Sequence, residues 1–468
     1  MAWISILIML RVLSGNAYPV RYTSCGIEHE LSRSPRRVVT LNQGATEFML
    51  ALGLADKMAG TAYLDDHIWP RYATDYVKIP VLSSAYPNET TIMSVSPDFI
   101  VASYQSAFRQ MYNDPKKGPK GIFNTTVAKC VGEGSEWDGN DKPTCRPQLH
   151  SQGIGTYLMA DACEDSSLRP VAVSEQTVYE EMRALGGIFK VDVEPMIKEM
   201  REDFDGAQQM VASAMHGDPL KAIWIDCVGR CCPVDEGQEP QVFVGAGSGV
   251  PNLLMQRAGL SNVFKNVEGN WACVNESKVI SANPDVIIVV DASWDTAISK
   301  LQWLYGKKEL CEVDALKGAR FVQIPFSATT LSPRNGPAAH DLAMAAIHVR
   351  LGSLTATLES GVGSFSPHQL EVHTQGLTCH MWKEYVVYSD SDSASEAGDQ
   401  AKDDTDDDDG DKLALGLGLG IGGAFLVMAF CVCVCLLIRS RRKPSSAPNN
   451  GEPTFVIGQP VTAEGAKC

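Results

Sequence analysis

Residues able to do chemistry collect where the sequence predicts that strands end. Apolar runs and turn signals place Gln43 and Thr46, Tyr63, Asp65 and Asp66, and Ser103, Tyr104 and Gln105 at such ends. The same reading adds Asp226 and Arg230, Ser248, Ser293 and Trp294, and Thr329, Thr330 and Arg334. Ligands of open α/β sheets sit beyond the carboxyl ends of strands. These side chains can donate, accept and stack, which suits recognition. No Ser/His/Asp motif, His-Glu-x-x-His or paired-carboxylate constellation stands beside them, so nothing positive supports an enzyme. A bare zinc or manganese site needs several clustered histidines. Of nine histidines, only His67 and His340 fall near these loops. Gly245-Ala246-Gly247-Ser248-Gly249 lacks the Lys-Ser/Thr of a phosphate loop and reads as close strand–helix packing. Cys231-Cys232 is not a Cys-x-x-Cys redox motif, and no basic stripe invites nucleic acid.

The elements that must position these residues are written twice. Asn88-Glu89-Thr90-Thr91-Ile92-Met93-Ser94 leads through Ser96-Pro97-Asp98 into the apolar run Phe99-Ile100-Val101. Asn275-Glu276-Ser277-Lys278-Val279-Ile280-Ser281 leads through Asn283-Pro284-Asp285 into Val286-Ile287-Ile288-Val289-Val290. Each copy predicts a short helix, a Pro-Asp turn and a buried strand. Ala51-Leu52-Gly53-Leu54 and Arg257-Ala258-Gly259-Leu260 precede them as matching helix stops. One repetition at long range predicts two similar lobes rather than a solenoid.

Between the copies, Val193 to Met215 carries Met196, Met200, Phe204, Ala207 and Val211 on one face, with Asp192 as cap and Pro195 in the first turn. Thr46 is expected to cap the first helix, and Ser174 another that stops at Gly186-Gly187. The fold class is therefore α/β: two lobes with mostly parallel sheets joined by one long bridging helix. The expected boundaries are an N-terminal lobe over 18–190, the bridge over 191–216 and a C-terminal lobe over 217–388. A Gly-, Pro- and Lys-rich insertion over 109–152 interrupts the first lobe, pinned by a local Cys130–Cys145 disulfide.

The ends place this body outside a cell. Residues 1–17 read as a secretion signal, with an uncleaved anchor as the alternative since Arg11 interrupts the apolar run. Leu413 to Ile438 has no charge and is long enough to span a bilayer. Arg439, Arg441, Arg442 and Lys443 follow it, so 439–468 is the expected cytoplasmic tail of a single-pass type I protein. The net charge of −16 comes largely from an acidic stalk over 389–412, which describes a solvated linker and not an acidic globular surface. Gly416, Gly418, Gly420 and Gly422 suit dimerisation of the span through small-xxx-small pairs, or are flexible filler. Ten of the fourteen cysteines precede the span, an even number that favours disulfides in a secretory setting. Asn88, Asn124 and Asn275 open glycosylation sequons.

Several of these runs, in this order, resemble one family. Val38-Val39-Thr40-Leu41 with Thr46-Glu47, the two repeat copies, Ala258-Gly259-Leu260-Ser261-Asn262-Val263 and Trp271 before Glu276 resemble the bacterial periplasmic binding proteins for ferric siderophores and cobalamin. The resemblance spans about residues 35 to 350. It implies two α/β lobes bridged by one rigid helix, the architecture termed class III, with ligand held between them and no chemical step. A membrane-anchored form with an acidic stalk resembles the ferrichrome-binding cell-surface proteins of marine microalgae.

The implied ligand is ferric iron carried by a siderophore, of hydroxamate type, with no intrinsic cofactor. Tyr63, Tyr104, Trp271 and Trp294 are then candidate aromatic walls, and Arg334 a donor to the complex's oxygens. The family docks a glutamate of each lobe onto arginines of a membrane permease, and motif matching puts these at Glu89 and Glu276. Sugars on Asn88 and Asn275 would stand beside both. This suggests another partner at the plasma membrane or in endosomal vesicles: a ferric reductase, a transporter or the endocytic machinery. The rival readings are a haem or cobalamin binder, an adhesion or signalling ectodomain that reuses the fold, and a surface enzyme.

Overall fold

The structure, a computed structural model, describes residues 18–104, 107–108, 146–163, 165–229, 231–232, 241–353, 357–365 and 367–379. The expected signal, Asn124, the Cys130–Cys145 pair, Gln105, Arg230, the stalk, the apolar span and the tail lie outside the described residues. Among the described residues no helix is long and apolar enough to cross a membrane. Both lobes belong to one compact unit.

The N-terminal lobe is built on five strands in the spatial order Val81–Ser83, Met58–Ala62, Val38–Leu41, Phe99–Ala102 and Gly155–Leu158. Every pairing in it is parallel, as its near-continuous apolar runs imply. Chain order reverses direction between Val38–Leu41 and Phe99–Ala102, which creates a switch point at their carboxyl ends. The helix Gln43–Ala51 starts there, earlier than a Thr46 cap would put it. Thr46 is instead buried in its first turn and donates from Oγ1 to the carbonyl of Asn42 at 3.0 Å.

The C-terminal lobe differs from expectation. Leu220–Val228, Val286–Asp291 and Phe321–Pro325 run parallel at its centre, with Leu260–Asn262 parallel to the start of the first. Gln241–Gly245, Trp271–Asn275 and Gly363–Ser364 pair antiparallel, so this sheet is mixed. Leu220–Val228 and Gln241–Gly245 are neighbours in the sheet as well as in the chain, and among the described residues no helix lies between them to make the crossover that parallel neighbours usually use.

The repeated Pro-Asp turn does the same work in both lobes. Asp98 accepts the backbone N–H of Arg36 and Arg37 at 3.0 and 2.8 Å, just before the strand Val38–Leu41. Asp285 accepts the N–H of Lys221 at 2.7 Å, near the start of Leu220–Val228. The carboxylate therefore clamps the neighbouring strand rather than its own turn, fixing strand register where a one-residue slip would expose the core face.

The long helix is Glu194–Ala214, 21 residues, or about 31 Å at about 1.5 Å per residue. Ile197, Met200, Phe204 and Ala207 form its buried face. Burying each large side chain contributes roughly 1.5–3 kcal/mol. Asp192 accepts the N–H of Glu194 at 3.1 Å, so it assists the helix start although Val193 holds the cap position. A second helix, Asn335–Arg350, lies against it, closely enough that a Cβ on Gly336 would meet Met200 at 2.7 Å. One hydrophobic cluster takes in Val38 and Phe99 of the first sheet, Met200 and Phe204 of the long helix, and Trp224 and Ile288 of the second sheet. The lobes share a core.

Other departures have local causes. The helix from Glu175 runs through Gly186-Gly187 to Phe189 and stops at Lys190 in the left-handed region (φ 59°). Gly186 is needed inside it, since a Cβ there would sit 2.5 Å from Val193. The end of the expected insertion is ordered lobe: Arg146–Ser151 is helical, and buried Arg146 donates to Thr156 Oγ1 at 2.8 Å and Ser24 Oγ at 2.9 Å. A hairpin, Val20–Ser24 with Ile27–Leu31, precedes the first sheet. Its two-residue loop Cys25-Gly26 has φ of 50° and 73°, the pairing that tight hairpins prefer. Disulfides join Cys25–Cys163, Cys227–Cys231, Cys232–Cys273 and Cys311–Cys379.

Candidate functional site

The strand ends of the two lobes face each other across a seam that is tied on two sides. On one side Ser293 donates its N–H to the carbonyl of Asp65 at 2.7 Å. The Ser327 N–H and hydroxyl donate to the Asp66 carboxylate at 2.7 and 2.9 Å. Beneath these, Arg334 donates from Nε to Glu47 Oε2 at 2.7 Å and from Nη2 to Glu47 Oε1 and to the carbonyl of His67. Gln43 organises the acceptors: its amide carbonyl takes the N–H groups of Asp65 and Asp66, and its nitrogen donates to Asp66 at 2.7 Å. On the other side Val173 donates to the carbonyl of Ser248 at 2.7 Å, and Arg257 pairs with Glu175.

Between the ties lies a cavity of about 330 Å³. Ser103, Tyr104, Asp161, Ala162 and Arg169 line it from the first lobe. Val250, Gly269, Asn270, Trp271, Thr329 and Thr330 line it from the second. Ser103 is fixed by accepting the Ala45 N–H on Oγ at 2.8 Å, which makes its residual contacts with the cavity directional. Tyr104 begins an aromatic row with Phe326 (ring centroids 6.1 Å apart) and Trp294 (5.5 Å from Phe326). Trp271 stacks on Phe243 at 5.7 Å, so its ring is held flat against the second sheet. The glycine loop backs the wall residues Gly269 and Asn270. Ala246, Gly247 and Ser248 donate their N–H groups to the carbonyls of Asn270, Val267 and Gly269. A Cβ on Gly247 would lie 2.1 Å from the Lys265 carbonyl oxygen. These N–H groups are committed to the neighbouring loop, so the glycines serve close approach and not phosphate binding.

Acids gather behind the walls. Burial pushes Asp226 up to about 7, with Lys300 opposing and Asp295 adding to the shift. Desolvation also raises Asp65 well above the ordinary carboxylate range, helped by Asp66, which is itself pushed up to about 6. Asp161, in the cavity wall, is raised to about 7 by desolvation and by Glu181, against the pull of Arg169. Glu181 is raised to about 7 by burial, although it accepts the Tyr157 hydroxyl and the Ala160 N–H at 2.7 Å each. Burial and the neighbouring Asp65, Asp226 and Asp161 hold the Tyr104 phenol well above its usual value.

The structure brings the expected residues Ser103, Tyr104, Trp271, Thr329 and Thr330 together around the cavity and leaves Tyr63, Trp294 and Arg334 outside its lining. Tyr63, at φ 57°, stacks on Tyr86 with centroids 4.3 Å apart. Trp294 sits further along the aromatic row, beside Asp65. Arg334 is 3% exposed and turns Nε and Nη2 to Glu47 and His67, because the lobes close over it. The sequence reading missed Asp161, Arg169 and Asn270. Asp161 was within reach: it stands three residues past Leu158, at a strand end like those used for Ser103.

The expected docking glutamates begin matching helices, Glu89–Ser94 and Glu276–Ala282. Glu276 pairs with Lys307 at 3.1 Å and its side chain is 12% exposed, while Glu89 is half-buried. Asn88 and Asn275 are the N-caps, accepting the N–H of Thr91 at 2.8 Å and Lys278 at 3.3 Å. Both bonds use Oδ1, so the amide nitrogen that would carry a sugar is not the capping atom.

No protein-family profile matches the sequence. The uncharacterized ABC transporter substrate-binding lipoprotein YvrC of Bacillus subtilis is 20% identical over 309 residues, covering 66% of this chain and 77% of that protein. Among solved structures, the chain is similar to a periplasmic binding protein from Veillonella parvula, with a TM-score of 0.51, 23% identity and coverage of 70% and 96%. It is also similar to an ABC-type Fe3+-hydroxamate transport system from Saccharomonospora viridis, with a TM-score of 0.52, 16% identity and coverage of 70% and 99%. Together with the two sheets and the long helix, these likenesses establish a periplasmic-binding-protein fold.

Proposed function

We propose that this chain captures a ferric siderophore, of hydroxamate type, in the cavity between its lobes and yields it to a membrane partner. The observation that carries the reading is the cavity itself: about 330 Å³ at the facing strand ends, with Tyr104 and Trp271 on opposite walls and hydroxyl and amide groups between them. Pockets for compact ligands begin at roughly 300 Å³ and combine apolar walls with a few fixed polar groups. A tris-hydroxamate complex is a compact, near-neutral body with an oxygen-rich surface, which such a lining can hold without a chemical step. The Saccharomonospora structure, an Fe3+-hydroxamate transport system by description, supports this ligand class.

Haem fits the lining less well. Its iron takes an axial His, Cys, Met or Tyr. Among the described lining residues only Tyr104 qualifies, and its raised phenol resists the ionisation that iron binding needs. For a bare ion, no group of three His, Cys, Asp or Glu side chains among the described residues is placed to hold one.

Tryptophan fluorescence tests the reading. Ferric ferrichrome or ferrioxamine is expected to quench it saturably, and the iron-free forms weakly. Trp271→Ala should weaken binding about three- to tenfold, since an aromatic contact is worth about 0.5–1.5 kcal/mol beyond its area. No saturable quenching by any hydroxamate would favour the adhesion reading, and an unchanged dissociation constant would remove Trp271 from the site.

Delivery follows from the same reading. With Glu276 tied to Lys307 and both docking helices capped by sequon asparagines, we expect hand-over to a reductase, transporter or endocytic receptor rather than to a bacterial-type permease. Glycopeptide mass spectrometry of secreted protein should find Asn88 and Asn275 occupied. Finding both bare would withdraw the steric part of this argument.

A further inference from the structure

The charges on the cavity wall are all on one side. Asp161 and Arg169 both come from the first lobe, while the lining from the second lobe carries no charge. Asp161 lies in the turn Ala160–Ala162, directly after the strand Gly155–Leu158. Arg169 follows the turn Ser166–Leu168 and is anchored by donating from Nε to the carbonyl of Cys163. The Cys25–Cys163 disulfide holds the chain between them to the N-terminal hairpin, so the two charges keep a fixed spacing. Both side chains are half-buried, which strengthens their pull on a ligand relative to water. The remaining charged or titratable groups that face Asp161 are Glu181, from the helix Glu175–Phe189, and Tyr104, from the end of the adjacent strand.

Resting on the siderophore reading above, we infer that Asp161 is a specificity-determining residue: it selects ferric hydroxamates that carry a pendant protonated amine over neutral ones, and disfavours complexes with net negative charge. The iron-binding oxygens of such a ligand would face Arg169, Asn270 and the two threonines, and its ammonium would pair with Asp161. A neutral ligand forfeits that pair. A tris-catecholate, with three negative charges, meets Asp161 with Glu181 behind it and Asp65 and Asp226 beyond Tyr104. Because Asp161 exchanges its proton near neutral pH, the preference for the amine should be strongest on the alkaline side and fade as Asp161 is protonated.

The test uses ferrioxamine B and its N-acetylated form, which differ in one charge, with ferric enterobactin as the anionic probe. Dissociation constants are measured by fluorescence quenching at pH 6 and pH 8. The wild-type protein is expected to bind the amine about five- to tenfold more tightly than the acetylated form at pH 8, and less than about twofold more tightly at pH 6, somewhat less than a fully buried charged hydrogen bond because the pair is partly solvated. Asp161→Asn should bring the ratio to about one at both pH values, and Arg169→Gln should widen it. Enterobactin should bind most weakly at pH 8. Equal affinity for the two ferrioxamines, with both binding, overturns the inference and leaves the siderophore reading standing. A ratio that survives Asp161→Asn overturns it as well. Failure of every ferric complex to bind ends both.

Discussion

Arg334→Ala is expected to lower the free energy of unfolding by about 3–5 kcal/mol, because it leaves the Glu47 carboxylate buried without its counter-charge. Glu47 is fully buried and Arg334 is 3% exposed, so water cannot take over when one partner goes. The guanidinium meets the carboxylate with two parallel N–H groups, the strongest ion-pair geometry, and its Nη2 also donates to His67 at 2.7 Å. Asp66, 3.8 Å away, loses its nearest cation at the same time. Against a total stability of about 5–15 kcal/mol, that is a large share. Glu47→Gln with Arg334→Met should recover much of the loss, since removing a buried pair together costs far less than breaking it. Urea unfolding of the wild type and the two variants reads the difference. A loss below about 1 kcal/mol for Arg334→Ala would show that the pair is hydrated and that the lobes are not locked through it.

That pair shows where sequence reading stops. Glu47 and Arg334 are 287 positions apart, and nothing local in either neighbourhood announces the other. As a residue in a Pro-Arg-Asn loop at a strand end, Arg334 invites a ligand-binding role. Only the facing of the lobes makes it the buried partner of Glu47. What was legible is what short periods encode. The two Pro-Asp turns, the strands Phe99–Ala102 and Val286–Asp291, and the long helix all follow from apolar spacing and turn chemistry. The mixed second sheet was not legible, because strand direction depends on connections and not on the strand's own pattern. The hairpin Val20–Leu31 did carry a signal, alternation around a two-residue Cys-Gly loop, that the reading passed over. In the cavity, Tyr104 was legible as an aromatic residue at a strand's carboxyl end, whereas Trp271 opens its strand and came only with the family resemblance. Asp161, just past the strand Gly155–Leu158, was as legible as Ser103, whereas Arg169 follows an irregular turn where spacing gives no face to read.

Between pH 8 and pH 5.5 the protein should become more stable, with its melting temperature rising by about 5 °C or more. Asp161, Asp226 and Glu181 are raised to about 7 and Asp66 to about 6 in the folded state, and all four return to the ordinary carboxylate range when unfolded. Between about pH 4 and 7 the native state therefore holds more protons than the unfolded one. Stability then falls as pH rises through that window and is fully present only below it. Each pKa unit is worth about 1.4 kcal/mol, so even a discounted total is several kcal/mol, and about 2–4 °C accompanies each in a protein of this size. His150 works the other way. Burial lowers it to about 3, so charging it on unfolding costs stability below about pH 6.5. One lowered histidine, joined by the smaller shift of His29, offsets only part of four raised acids. Asp226 isolates the effect, since its Oδ1 is buried with no hydrogen-bond partner among the described residues. Asp226→Asn should therefore raise the melting temperature at pH 8 and change it little at pH 5.5, flattening the profile. A wild-type profile that is level or rises with pH between 6 and 8 would mean that these carboxylates are solvated in the native state, and with them the wall on which Asp161 stands.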